Sequence, residues 1–393
     1  MARFLRGFGK PVAAISSVLI GVLAFLAPAA SPALGERVCD GPGINHAPPV
    51  EASPDVLSVL VWNVYLLPIG PRDVPFFGSD FALAQEERAA LIPRFVEPFD
   101  AVVFAEAFDD DARAILLAGL RERGFAWSTH VLGTAYRLSQ ARIKGKPLDQ
   151  PAPFGLGADE ARRDGYPDGG EGDIGFDQDG GVLIASRHPI LAARELVYES
   201  CGGVDCYAFK GFIHAEIDKG GRLYHVIGTH LQSGWDAERS AARQRQLQDI
   251  GDYVTNGAGI APDEAVIIAG DLNTQRGAAL EAVLQDDVLR AGAPTFLGHP
   301  YTRETRNDWV SRGNGFVDYV LPARGFRAPS RAFNCPLVFR TRFDFENRGL
   351  FGTTAGENLC DLSDHYAVWG WLDYRQASEH PAPSCPMPML PAG

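Results

Sequence analysis

The sequence has no excess of positive charge. Its 36 Lys and Arg face 49 Asp and Glu, a formal net charge of −13 over 393 residues. Such a balance argues against nonspecific grip on a polyanion, unless a local patch or a bound metal overrides it. The cysteines form no CxxC pair and no cluster with histidine, so a zinc site is the weaker use of them. No internal repeat is visible. Only one apolar run, from Val12 to Ala27, approaches the roughly 18 residues at which spanning a bilayer becomes feasible.

That run sits in a leader. Arg3, Arg6 and Lys10 precede it, and small residues follow in Ala27-Pro28-Ala29 and Ser31-Pro32-Ala33. This is the layout of a secretory signal peptide over residues 1–30, with an uncleaved membrane anchor as the alternative. Its removal would take the net charge to about −16. The expected location is secreted or periplasmic. Export suits six cysteines, an even number: Cys39, Cys201, Cys206, Cys335, Cys360 and Cys385. Proximity in sequence, and the advantage of tying the termini, favour the pairs Cys201–Cys206, Cys335–Cys360 and Cys39–Cys385.

At 46% hydrophobic and 22% charged, the rest is globular composition. An irregular lead-in covers 31–54, a folded region 55–373, and a Pro-rich tail 374–393. Strands are predicted at Leu57–Val64, Ala101–Ala105, Gly181–Ser186, Phe209–Ile217, Leu223–Thr229, Ala265–Ala269, Gly315–Leu321 and Tyr366–Leu372. Helices are predicted at Ala82–Phe99 (broken near Pro93), Asp110–Arg123 and Asp236–Val254. Strands alternate with helices early and run together later, so the fold class is a mixed α/β sandwich. The stretch 144–180 is rich in Gly, Pro and acids, with Asp168, Glu171, Asp173, Asp177 and Asp179 close together. It reads as a long surface loop, or as a loop over the site or a second cation site.

Polar residues recur where apolar strands end. Asn63, Glu106, His230, and the pair Asp271 and Asn273 each close one. Asp318 lies inside another, and Asp364 and His365 open the last. Each has an ordinary explanation alone: a turn for Asn63 and for 270–273, a helix cap for Glu106, a core histidine for His230 or His365. Together they offer hard oxygen ligands, two histidines and acids to orient them, which metal-assisted phosphoryl chemistry needs.

Seven motifs then follow in order: Trp-Asn-Val-Tyr-Leu-Leu-Pro (62–68), Glu106-Ala-Phe-Asp109, Gly-Gly-Val-Leu-Ile-Ala-Ser (180–186), Gly-Thr-His-Leu-Gln (228–232), Gly-Asp-Leu-Asn (270–273), Val-Asp-Tyr-Val (317–320) and Ser-Asp-His-Tyr (363–366). From about Leu57 to Leu372 the chain resembles the endonuclease/exonuclease/phosphatase superfamily. Within it, Asn-Val-Tyr-Leu-Leu-Pro, Arg243 with Gln246-Leu247, and the segment Pro294–His299 are similar to bacterial neutral sphingomyelinases. So is the loop Cys201–Phe212, where Asp205 and Lys210 keep that group's spacing.

The resemblance implies a DNase I-like α/β (α+β) four-layer sandwich, two packed mixed β-sheets flanked by helices. It implies a Mg²⁺-dependent phosphodiesterase, with Mn²⁺ or Co²⁺ as substitutes, that hydrolyses the phospholipid sphingomyelin to ceramide and phosphocholine at a membrane surface, with neither nucleic acid nor an obligate protein partner expected. Another phospholipid or inositol phosphodiesterase, or a secreted nuclease, is the alternative. In that scheme Glu106 is the chief metal ligand, helped by Asn63, and Asp364 helps hold the site. His365 is the general base, oriented by Asp318. His230 donates to the phosphate or protonates the leaving group. Asp271 and Asn273 position the nucleophile and a phosphoryl oxygen, and Lys210, paired with Asp205, closes over the substrate. Tyr65 and Trp235 are candidates to face a choline cation, with core packing the alternative. The region 331–354 corresponds to an aromatic membrane hairpin in the toxins but does not match it residue by residue. Its Phe333, Phe339, Phe343, Phe345 and Phe351 read equally well as core.

Overall fold

The computed structural model describes residues 39–67, 84–139, 143–156, 178–285, 288–349, 352–376 and 381–390. The leader, and Asp168, Glu171, Asp173, Asp177 and Phe351, lie outside the described residues.

Alternating side chains along Val56–Leu66 set the layering. Leu57, Val59 and Val61 face one apolar core, while Leu60, Trp62 and Val64 face another. This period of two is what a strand covered on both faces requires. The strand lies near the middle of a seven-stranded mixed sheet. Its order is Thr295–Phe296, Arg331–Leu337, Ala367–Asp373, Val56–Leu66, Ala101–Ala107, Leu183–Ser186 and Trp127–Ser128. A second sheet of six strands runs Asp318–Pro322, Ala265–Asp271, Arg222–His230, Gly211–Lys219, Ile190–Val197 and Leu148–Asp149. The inner faces meet through Val59, Val61, Val103, Ile213, Val226 and Ile267. Helices Gln85–Leu91 and Asp110–Glu122 cover the first sheet, and Ala237–Asp252 and Ala278–Gln285 the second. The result is the expected four-layer sandwich.

The predicted strands and helices all appear. Pro93, lacking an N–H, divides its helix into Gln85–Leu91 and Pro93–Val96. Asp109, not Glu106, caps the helix Asp110–Glu122 by accepting from Ala112 N at 2.9 Å. Glu106 is thereby left for another use. Ile190–Val197 was not expected, because a strand carrying Arg194 and Glu195 breaks the apolar pattern. Glu195 is nevertheless fully buried, accepting from Tyr136 N and Gln150 Nε2, both at 2.7 Å. The hairpin Arg340–Gly349 and Gly352–Asp361 lies outside both large sheets. Phe333, Phe339, Phe343 and Phe345 are buried in the first sheet's outer core, which decides for packing at those positions. Asp179, grouped by sequence with the acidic loop, is buried and structural. It takes Arg113 Nη1 at 3.2 Å and Gly181 N at 2.8 Å.

Two expected disulfides are corrected. Cys201–Cys206 forms as expected, but Cys39 pairs with Cys360 and Cys335 with Cys385. Cys335 lies opposite Trp369 within the sheet, whereas Cys360 lies beyond it, next to Asp361, the register partner of Arg340 at the base of the hairpin. The lead-in reaches that base, where Asn45 N donates to Val338 O at 2.9 Å and Asn45 Oδ1 accepts from Arg340 N at 2.7 Å. Each of these disulfides therefore ties one end to the body, and the two ends meet through a hydrogen bond from Met389 N to Pro42 O at 2.9 Å.

A buried arginine supports the edge that carries the site. Arg88 donates to the carbonyls of Val64 and Leu362 at 2.9 Å and of Tyr65 at 2.7 Å. Burial lowers its pKa to about 10, so the cation is kept at neutral pH. Arg88→Met would leave those carbonyls without this donor, at about 1 kcal/mol or more each. We expect a loss of about 3 kcal/mol in urea unfolding. A loss below about 0.5 kcal/mol would deny the arginine this role.

Candidate active site

Strand direction gathers the site. The strands containing Asn63 and Glu106 are parallel, as are those ending at His230 and Asp271. Asp318 opens a strand antiparallel to the last of these and pairs in register with Asp271, which also pairs with His230. His365 lies just before the antiparallel strand Ala367–Asp373. Asn63, Glu106, His230, Asp271, Asp318 and His365 thus share one edge of the sandwich. Three non-glycine residues there are left-handed: Tyr65 (φ 52°), Glu106 (φ 56°) and Asn273 (φ 46°). Such backbone costs about 1 kcal/mol or more per residue and collects at functional sites.

The side chains interlock. Asn63 Nδ2 donates to Asp271 Oδ2 at 3.2 Å, and Asn273 N to Asp271 Oδ1 at 2.8 Å. Asn273 Nδ2 donates to Leu231 O at 3.0 Å and approaches His230 Nε2 at 3.2 Å. His230 Nε2 also lies 3.6 Å from Asp271 and 3.8 Å from Glu106. Lys210 Nζ reaches Asp205 at 2.8 Å, Leu231 O at 3.0 Å and His230 Nε2 at 3.3 Å. His365 Nδ1 meets Asp318 Oδ2 at 2.8 Å, and His365 Nε2 is 4.0 Å from Asp364. Every residue predicted for the site is in this network.

Burial and neighbouring charge set the protonation states. Burial first, and then Asp364, push the Glu106 carboxyl up to about 7. Burial, and then Lys210, push His230 down to about 3, so its imidazole is neutral. Lys210 and Asn273 both reach its Nε2, at 3.3 and 3.2 Å, while its Nδ1 is buried without a hydrogen-bond partner. Burial also acts to lower His365, but Asp318, Asp364 and Asp271 outweigh it and raise it to about 10. For Asp205, burial is opposed and overcome by Lys210, which holds the carboxyl below its usual range.

The donor set fits a hard divalent cation. Glu106 and Asp364 bring like charges together in a recessed site, and Asp364 Oδ1 is buried with no hydrogen-bond partner. Such carboxylates need a proton or a cation. Asp271, Asp318 and His365 also present ligand atoms within 4.8 Å of one another. There, however, His365 Nδ1 and Asp318 Oδ2 already bond each other at 2.8 Å, although Asp318 Oδ1 has no partner, and Glu106 with Asn63 and Asp364 is the other cradle this edge offers.

Sequence reasoning missed the supports. Arg113 donates to Ala107 O at 2.7 Å and Phe108 O at 3.1 Å, fixing the backbone after Glu106. Ser363 Oγ donates to Asn63 O at 2.5 Å, and Trp62 Nε1 to His365 O at 3.0 Å. Ser363 and Trp62 stood inside quoted motifs, whereas Arg88 and Arg113 had no local signal. Of the two aromatics proposed to face choline, Trp235 is exposed, not core, and Arg243 already lies 5.0 Å from its ring centroid. Tyr65 has Arg88 at 5.8 Å.

Two packed mixed sheets, with carboxylates, amides and histidines at one common strand edge, define a sandwich equipped for metal-assisted chemistry. The chain belongs to the endonuclease/exonuclease/phosphatase family, whose pattern matches residues 60–365. It is similar to a sphingomyelinase C of Leptospira interrogans, 31% identical over 328 residues that cover 80% of this chain and 51% of the relative. It is also similar to a sphingomyelinase C of Bacillus cereus, 28% identical over 293 residues, covering 70% and 78%. A crystal structure of a Staphylococcus aureus beta toxin mutant with bound magnesium ions superposes with a TM-score of 0.62 at 25% identity, over 81% of this chain and 99% of the toxin. The chain spans about half the length of the Leptospira relatives it matches.

Proposed function

We propose that this chain is a secreted, Mg²⁺-dependent phosphodiesterase that hydrolyses sphingomyelin to ceramide and phosphocholine. The observation that carries the reading is the convergence of Glu106, Asp271, His365 and the Asp205–Lys210 pair around His230. Three disulfides support export to an oxidising compartment. Glu106, Asn63 and Asp364 would hold the metal. When bound, Mg²⁺ polarises the phosphodiester and offsets charge on the phosphoryl and leaving oxygens. These oxygen ligands would also accept Mn²⁺ or Co²⁺.

The chain's own groups do the rest. His365 takes a proton from the attacking water at Nε2, while Asp318 receives Nδ1–H and fixes the ring's tautomer. The Asp271 carboxylate and Asn273 amide position the nucleophile and a phosphoryl oxygen. Lys210 supplies hydrogens to the phosphate and to the departing alkoxide, with His230 as its neutral neighbour. Asp205 holds Lys210 in place from the disulfide-closed loop. This shifts the donor role expected of His230 towards Lys210.

One assay tests the reading. The purified mature protein is given sphingomyelin, phosphatidylcholine and plasmid DNA, with Mg²⁺ and then with EDTA. Phosphocholine released from sphingomyelin, and abolished by EDTA, is expected. Nicked DNA with intact sphingomyelin would transfer the site to the nuclease reading.

Metal affinity should also follow pH. With its carboxyl raised to about 7, Glu106 is protonated below that pH and competes with the cation; above it the competition ends. Mg²⁺ titrations at pH 6, 7 and 8 should show affinity falling towards about tenfold per unit below 7 and levelling above. A flat profile would remove Glu106 as the ligand.

A further inference from the structure

We propose that His214, Glu216 and His225 form a second metal site, for a zinc-class divalent ion, on the outer face of the second sheet.

These three present ligand atoms within 4.8 Å of one another. Glu216 and His225 are register partners on adjacent antiparallel strands, so their side chains share a face; His214 joins them from two residues away. The site is separate from the hydrolytic centre, since His225 lies five residues before His230 on one strand, roughly 16 Å away.

The outer nitrogens carry the argument. His214 Nε2 and His225 Nδ1 face each other at 2.9 Å. The remaining nitrogens are each held by an oxygen: His225 Nε2 by Glu264 at 3.1 Å, and His214 Nδ1 by Tyr253 OH at 2.8 Å. Metal-binding histidines are typically oriented in this way, with the far nitrogen bonded to a carboxylate or another oxygen. In the metal-free chain one facing nitrogen donates and the other accepts. With a metal between them, both lone pairs point at the ion, and each ring carries its proton on the far nitrogen, His214 Nδ1 towards Tyr253 and His225 Nε2 towards Glu264. Zn–N bonds of about 2.0–2.1 Å place two ligand nitrogens about 3.3 Å apart in a tetrahedron, so the gap opens by only a few tenths of an ångström.

Ligand type selects the ion class. Two imidazoles and one carboxylate suit zinc over magnesium. Arg194, opposite His214 on the neighbouring strand, opposes a cation, but its Nε is engaged by Asp149 at 2.8 Å. Glu216 and Glu264 supply the compensating charge. Both histidines are buried and Glu216 is half-buried, so the carboxylate side is the entrance.

The test uses the full mature chain and does not depend on lipid hydrolysis. Protein stripped with EDTA is dialysed against zinc in excess Mg²⁺, and bound metal is counted by mass spectrometry. One zinc per chain is expected in wild type and equally in Glu106→Gln. His225→Gln and Glu216→Gln should lose it, and Glu264→Gln should weaken it about 10-fold or more. Should the histidine variants not fold, Co²⁺ added to Glu106→Gln gives an independent reading. Intense visible bands of a tetrahedral ion are expected. No retained zinc, zinc unchanged in Glu216→Gln, or only the weak bands of octahedral cobalt would overturn the site.

Discussion

Glu106→Gln should lower Mg²⁺-dependent hydrolysis by about 10³-fold or more while the protein remains folded. A metal that stabilises transition-state charge contributes several kcal/mol, and each 1.36 kcal/mol is tenfold in rate. Glutamine keeps the length of the side chain and one oxygen, but loses the charge that holds the cation. The fold should not suffer, because the carboxyl at 106 is itself a burden. Burial and Asp364 raise it to about 7 against the opposing pull of Asn63, His365 and Lys210, so at higher pH an incompletely compensated charge is left for the bound metal to stabilise. Without metal, the variant should therefore unfold at the same temperature as wild type or above it. Wild type should gain thermal stability on adding Mg²⁺, and the variant should not. Turnover within a few-fold of wild type would remove Glu106 from the chemistry. A variant that unfolds early would instead make the residue structural.

The part of this site legible in the sequence was the part written locally. An apolar run ending in an acid, amide or histidine is visible without a structure, and each such end lies where the strands converge. The reason is geometric: buried strands read as continuous apolar runs, so a polar residue at their end stands out. What was not legible acts across the chain. Arg88 reaches Leu362 and Ser363 reaches Asn63, and neither arginine nor serine carries a pattern that announces a partner hundreds of residues away. Disulfides failed for the same reason. Cys201–Cys206 closes a short loop and was readable, whereas the pairing of Cys39 with Cys360 depends on where the lead-in crosses the hairpin base. Protonation was hidden as well. His230 reads as a donor by position, and only the structure shows that Lys210 and Asn273 crowd its Nε2 and that burial, then Lys210, lowers its pKa to about 3.

The acid–histidine pair supplies the other large effect. His365→Ala should reduce kcat by about 10²–10⁴-fold, the usual contribution of a general base, with little change in Mg²⁺ affinity. Asp318→Asn offers the sharper test, because it acts only through the imidazole. Asp318 Oδ2 accepts from His365 Nδ1 at 2.8 Å, and its charge, with Asp364 and Asp271, overcomes burial to hold the ring protonated up to about 10 in the metal-free chain. A bound dication opposes that charge, so the working value lies lower. Replacing Asp318 by Asn removes one of the raising charges and lets the proton leave at a lower pH. The acid limb of the kcat/KM profile should therefore move to lower pH, even as the plateau falls with the loss of ring orientation. Combining His365→Ala with Asp318→Asn should cost little more than His365→Ala alone, since the aspartate then has no base to orient. Additive losses, or an acid limb that stays in place in Asp318→Asn, would separate the two residues and assign the proton to another group.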